Sequence, residues 1–176
     1  MTIELTHQIT DIKGINQLYA IASRVIGETC WKATLSYGDE LTLHFGEQIP
    51  YTHPSMAGKH KGSWILGTRG TAWQLNNPSD ASATLDTKAA MLDIFKRELR
   101  QLEGNILQSL KIDYPVLGLT LNFSQGIHLT ITPPVRYDEF DLPYWELFTP
   151  DHQVLQVGPQ SSWSLIQSDR SPSTPD

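Results

Sequence analysis

Two stretches of the chain place apolar residues at helical spacing. Between Asp11 and Ile26, the residues Ile15, Leu18, Ala22 and Val25 follow at intervals of three, four and three, which lines one face of a helix, and Gly27 stands where that helix would stop. Between Asp86 and Glu103, Leu92, Phe95, Leu99 and Leu102 repeat the spacing, with Gly104 just beyond. Each position is displaced by 77 residues from its counterpart. Amphipathic helices share a period in any case, so this set acquires meaning only from the segments that come after each helix.

After Gly27 the chain reads CWKATLSY, GDE and LTLHFGEQI; after Gly104 it reads ILQSLKIDY, PVLG and LTLNFSQGI. Tyr37 falls 77 residues before Tyr114, and with one inserted residue Leu41, Leu43, Phe45 and Ile49 match Leu119, Leu121, Phe123 and Ile127. Both LTLxF runs alternate apolar and polar, the signature of a strand with one buried face. GDE in the first half and SQG in the second carry turn chemistry. Further on, WILGT (Trp64 to Thr68) resembles WELFT (Trp145 to Thr149), and TRGTAWQL and TPDHQVLQV each read as a turn entering a strand.

The expected fold class is therefore α+β: a helix followed by about five strands, written twice, with the internally duplicated helix-plus-antiparallel-meander units forming a pseudo-two-fold, two-layer domain. One unit offers a helix and a meander whose apolar face needs a cover, and a second unit supplies it. The boundaries are residues 1–78 and 79–167 for the units and 168–176 for a flexible tail, all in one compact domain. NNPSDASAT (Asn76 to Thr84) has the polar, turn-rich composition of a linker, and SDRSPSTPD is too poor in apolar residues to hold itself down. Edge-to-edge and face-to-face joining of the two sheets both fit the pattern.

LGLTLNFSQGIHLTITP followed by YWELFTPDHQVLQVGP resembles a motif of small uncharacterised bacterial proteins, some of them cyanobacterial, of the domain-of-unknown-function and immunity-protein-like kind. The resemblance covers mainly residues 103 to 165 and implies a fold; it carries no catalytic residues across.

Composition sets the outer limits. At 39% hydrophobic and 18% charged the chain has enough apolar surface for a core. No segment approaches the roughly 18 consecutive apolar residues of a membrane span, and the N-terminus lacks the pattern of a secretory signal, so the expected location is the cytoplasm, with no membrane partner. Cys30 is the only cysteine, which excludes an intramolecular disulfide and a multi-thiolate metal site. A net charge of -6 argues against nucleic acid as a partner.

No phosphate loop, dinucleotide fingerprint, nucleophile elbow or zincin helix is present. The polar chemistry gathers in two connections. PYTHPSMAGKHKGS (Pro50 to Ser63) carries His53, Lys59, His60 and Lys61, and PPVRYDEFDLP (Pro133 to Pro143) carries Arg136, Asp138, Glu139 and Asp141 beside Tyr137, Phe140 and the following Tyr144. The plain reading of both is solvated loops. Read functionally, one loop is basic and the other acidic, and the three aromatics are the residue types that anchor interfaces. His53 and His60, seven apart, with Asp39 or Glu47, do not form a tight enough cluster to assign a metal site, and no cofactor is implied. Asp138, Glu139, Asp141 and Glu146, with Asp113, would serve acid–base chemistry only if held across a cleft. His44, opposite Asn122 in the alignment of halves, is expected to face solvent. Trp64 and Trp145 are expected as core anchors with bonded indole N–H groups, and Cys30 as a small buried residue.

These observations lead to a binding or regulatory protein, leaning away from an enzyme, that engages another protein through loops 50–63 and 133–144. A second reading is an enzyme or small-ligand binder using a crevice between the halves, lined by Trp73 or Trp163. A third is an assembly subunit, a homo-oligomer that pairs through a strand edge.

Overall fold

The computed structural model describes residues 6–36, 40–69, 71–76, 88–134 and 142–168, with side chains of the second helix described from residue 93 onward. Asp11 caps the first helical stretch, its carboxylate accepting the Gly14 N–H at 3.1 Å. A 3-10 turn, Ile12–Gly14, leads into α1 (Ile15–Ala22), and a second, Ser23–Val25, follows it. The helix α2 spans Lys88–Arg100. Leu18, Ala22 and Val25 are buried, as are Leu99 and Leu102, so these members of the two expected apolar faces point inward. Both helical stretches end in glycines at positive φ, Gly27 at 95° and Gly104 at 88°, a conformation that costs glycine nothing.

The strands in chain order are β1 (Thr6–Gln8), β2 (Cys30–Ser36), β3 (Glu40–Pro50), β4 (His60–Thr68), β5 (Ala72–Asn76), β6 (Leu107–Ile112), β7 (Leu119–Phe123), β8 (His128–Thr132), β9 (Trp145–Phe148), β10 (Gln153–Val157) and β11 (Ser162–Gln167). Among the described residues they form a seven-stranded sheet, β1-β11-β10-β9-β4-β3-β2, and a four-stranded sheet, β5-β8-β7-β6, with every pairing antiparallel. The architecture is α+β, mostly antiparallel sheet with two helices.

The strands do not divide as five and five: among the described residues four follow α1 and six follow α2. The chain also exchanges strands between sheets, β5 leaving β4 to pair with β8, and β9 leaving β8 to pair with β4. Counted from its helix, WILGT is the third strand and WELFT the fourth, so the two runs do not hold corresponding places. They are direct neighbours, with Ile65 opposite Phe148 and Leu66 opposite Leu147. Their likeness is that of adjacent central strands, which share one core face and one outer face.

Both ways of joining the sheets occur. At one edge the starts of β2 and β6 meet through four backbone bonds: Gly27 N–H to the Leu107 carbonyl (2.8 Å), Gly104 N–H to Cys30 (2.7 Å), Cys30 N–H to Asn105 (2.9 Å) and Leu107 N–H to Glu28 (3.0 Å). Each sheet has a bulge just beyond this point, at Cys30/Lys32 against β3 and at Leu107/Ser109 against β7. The inner faces then share one core, in which the Phe45 and Phe123 rings stack at 6.2 Å. Trp145 is fully buried at the junction and its indole N–H donates to the Leu117 carbonyl at 3.0 Å. Between the sheets lies a void of about 10 Å³, bordered by side chains such as Val25, Leu66, Leu110 and Leu121.

Candidate functional site

The two sheets present different outer faces. On the four-stranded sheet, cross-strand neighbours form two polar rows, Lys111–Thr120–Thr130–Gln74 and Ser109–Asn122–His128–Asn76. Such a face is satisfied by water. On the seven-stranded sheet one row reads His44–Ile65–Phe148–Val154–Ile166, and the next reads Thr42–Gly67–Glu146–Gln156–Ser164. An apolar row of four residues on the side away from the core calls for an explanation.

Alternation along β4 places Lys61, Ser63, Ile65, Gly67 and Arg69 on this outer side, while Trp64, Leu66 and Thr68 are buried on the other. Two depressions lie along it. The larger, about 360 Å³, sits between the β3–β4 hairpin and the β9–β10 turn, bordered by Ile49, Thr52, Lys61, Ile65, Phe148 and His152 among others. The smaller, about 290 Å³, is bordered by Ser36, Glu40, Gly67, Arg69 and Glu146. Ile65 and Phe148 belong to both, so the depressions form one trough running along β4.

The electrostatics differ from end to end. Among the described residues no Asp or Glu borders the larger depression. Lys61 supplies its ammonium there, 5.9 Å from the centre of the Tyr51 ring, and partial burial draws its pKa down. Among the described residues Lys61 has no carboxylate partner, the ion pairs being Arg24–Asp151, Arg69–Glu146 and Lys111–Asp113. At the other end Glu146, in register with Gly67 across the β4–β9 pair, is almost fully buried, its carboxylate accepting from Gln156 Nε2 at 3.2 Å and lying 3.7 Å from the Arg69 guanidinium. That acid is committed to its neighbours.

The stretch 50–63 is mostly not a loop. Pairing of β3 with β4 continues out to Pro50–His60, and the Tyr51 N–H donates to the Lys59 carbonyl, which leaves a short turn built on the 3-10 segment Pro54–Met56. His53 caps that turn, its Nδ1 accepting the Ser55 N–H at 3.1 Å. Lys59 and His60 are exposed at the tip, and Lys61 alone of the four expected residues borders the trough. Among the described residues no group of three or more metal-ligating side chains converges.

The two connections are also placed differently from one another. Residues 50–63 join neighbours of one sheet, whereas 133–144 carries the chain from one sheet to the other. Arg136, Tyr137, Asp138, Glu139, Phe140 and Asp141 lie outside the described residues, as do Asp39, most of the expected linker and residues 169–176. Tyr144 is half-buried and used internally: its ring lies against Gly158, its hydroxyl accepts the Gln160 N–H at 3.1 Å, and its carbonyl accepts from the Thr71 hydroxyl at 2.7 Å.

His44 corrects an expectation. It occupies an outer position of β3, but it is 6% exposed rather than solvent-facing. The Trp31 ring packs on it at 5.4 Å, and its Nδ1 accepts the Gly62 N–H at 3.0 Å. Burial, and secondarily the charge of Lys32, lower its pKa to about 4, so it is neutral at physiological pH. The reason is the nearby bulge: with β3 and β4 out of register between Phe45 and Gln48, the Gly62 N–H is bonded by the imidazole. A Cβ on Gly62 would lie 2.6 Å from the Trp64 carbonyl oxygen, which fixes glycine at that position.

Cys30 is fully buried, with its thiol pushed up to about 12 by burial, and is chemically quiet at neutral pH. Trp73 packs edge-on against Phe95 at 5.4 Å and Trp163 stacks on His7 at 4.2 Å; neither borders the void between the sheets. No helix among the described residues is long and apolar enough to cross a membrane. In comparisons with known proteins, no family model, no curated protein and no solved structure matches this chain.

Proposed function

We propose that this chain is an internally duplicated protein whose work, in the cytoplasm, is to bind another protein through the outer face of its seven-stranded sheet. The observation that carries the reading is the contrast between the two outer faces, one polar but for Ala72 and the other bearing the half-buried Ile65, Phe148 and Ile166, with Val154 buried among them, beside a trough. Of the two segments expected to meet a partner, 50–63 borders that trough, with Lys61 as its charged member. The duplication is supported by the four bonds between β2 and β6, which exchange in pairs when 77 is added to one partner and subtracted from the other, and by the two bulges at corresponding positions. The exchange of β5 and β9 between sheets supports it further, since each is the fourth strand after its helix.

The void of about 10 Å³ between the sheets weighs against a small-ligand or enzymatic site there, because it has room for a single water at most and its border is apolar. The test is affinity capture from native lysate with the natural chain, with Lys61→Glu and Gly67→Leu on the apolar side, and with Thr130→Lys on the polar side. A protein retained by the natural chain and Thr130→Lys, and lost from the other two, supports the reading. An identical retained set for all four overturns it.

A further inference from the structure

The backbone of β4 is committed on both sides, to β3 and to β9, so nothing can add to the trough as another strand. Recognition there falls to side chains. The trough follows β4 from Lys61 to Gly67, six residues or roughly 20 Å at about 3.3 Å per residue, and among the described residues it is open along its length. An enclosed small-molecule site would bury most of its ligand, whereas a shallow track of this length matches an extended peptide.

Its chemistry is graded. At one end stands Lys61, half-buried, unpaired among the described residues and in a depression without an acid, on a chain of net charge -6. In the middle are the Ile65 and Phe148 side chains, shared by both depressions. At the far end Glu146 is already neutralised by Arg69 and hydrogen-bonded by Gln156, so it asks for no cation. In the larger depression charge complementarity is thus left open at Lys61, for an anion; at the far end Glu40 borders the smaller depression with no ion pair among the described residues.

We infer that the trough takes an extended segment of a partner protein that sets an Asp or Glu side chain on Lys61 and, four residues along, a bulky apolar side chain over Ile65 and Phe148. The spacing comes from the site: Lys61 and Ile65 are four residues apart on one face of a strand, and an extended occupant repeats that distance between side chains of one face. The inference rests on the protein-binding reading above and adds the chemical class of the partner.

The test is selection from a phage-displayed library of random dodecapeptides on the full chain, followed by fluorescence anisotropy of synthesised winners. The expected winners carry Asp or Glu four residues from Phe, Leu, Ile or Trp. Their affinity falls at least tenfold on Lys61→Glu, falls less on Lys61→Met, and returns on Lys61→Glu when the peptide's acid is replaced by lysine. It falls also on Gly67→Leu, where a side chain would enter the smaller depression, the nearest backbone atom to its Cβ being the Leu41 oxygen at 3.8 Å. Urea midpoints of the variants establish that they fold. Winners without acidic enrichment, or with affinities that Lys61→Glu does not change, overturn the inference. If a lysate partner is lost on Lys61→Glu while no peptide is selected, the occupant is a folded surface: the inference fails and the binding function stands. If neither is found, both fail.

Discussion

Lowering the pH should destabilise this protein through His44 in a window that can be assigned in advance. In the unfolded chain an imidazole takes its proton near pH 6.5; in the folded chain His44 does so only near pH 4, because burial, with help from Lys32, opposes the charge. Protonation would also turn Nδ1 into a second donor facing the Gly62 N–H across 3.0 Å. Between the two pKa values the unfolded state holds the extra proton, so stability is fully present above about 6.5, falls as the pH is lowered through the window, and levels off below about 4. The difference of 6.5 against about 4, at about 1.36 kcal/mol per pH unit, amounts to about 3 kcal/mol. The assay is urea unfolding of the natural chain and of His44→Asn at a series of pH values. The asparagine oxygen stands near the place of Nδ1 and does not titrate, and carboxylates common to both chains cancel in the difference. The natural chain should lose about 3 kcal/mol relative to His44→Asn between neutral pH and pH 4. A difference that stays flat across that range would refute the reasoning, and so would an NMR titration of His44 with a midpoint near 6.5.

The remaining expectations concern single positions. Gly62→Ala should cost about 2 kcal/mol or more, since its Cβ would sit 2.6 to 2.7 Å from backbone atoms of Trp64 and Phe45, whereas Gly67→Thr should cost nothing and gain up to about 1 kcal/mol; paired urea midpoints check the contrast. Trp145→Phe should lose about 2 kcal/mol in the same measurement, by removing the 3.0 Å bond to Leu117 and leaving part of a filled core empty. Cys30 should resist a thiol-labelling reagent at pH 8 in the folded chain and react at once in denaturant; fast labelling of the native protein would show that the thiol is neither buried nor raised to about 12.

How much of this was legible beforehand depended on whether the determining interaction is local. The helical spacing of Leu18, Ala22, Leu99 and Leu102, the stop glycines Gly27 and Gly104, and the alternation of LTLHF and LTLNF are set by neighbours a few residues away, and they carried the elements and the α+β class. Lys61 and Ser63, by contrast, read as part of a connection, because HKGS holds no apolar residue to mark a strand, and only the pairing of β3 with β4 sets them on one face with Ile65 and Gly67. What that face meets was not readable. The pairing of Ile65 with Phe148 joins residues 83 apart, and a period-two pattern is the same whichever strand lies alongside. For that reason WILGT and WELFT looked like two copies of one strand when they are partners in one sheet. His44 reads as an outward polar residue by period alone. Only the bulge opposite it, which delivers the Gly62 N–H, and the Trp31 ring, which covers it, make it a buried neutral acceptor. The chain's local chemistry thus determined both helices and the alternation of most strands, while tertiary pairing decided which sides adjoin, and with that the trough, because long-range register is fixed by the packing of the whole core and by no single stretch of sequence.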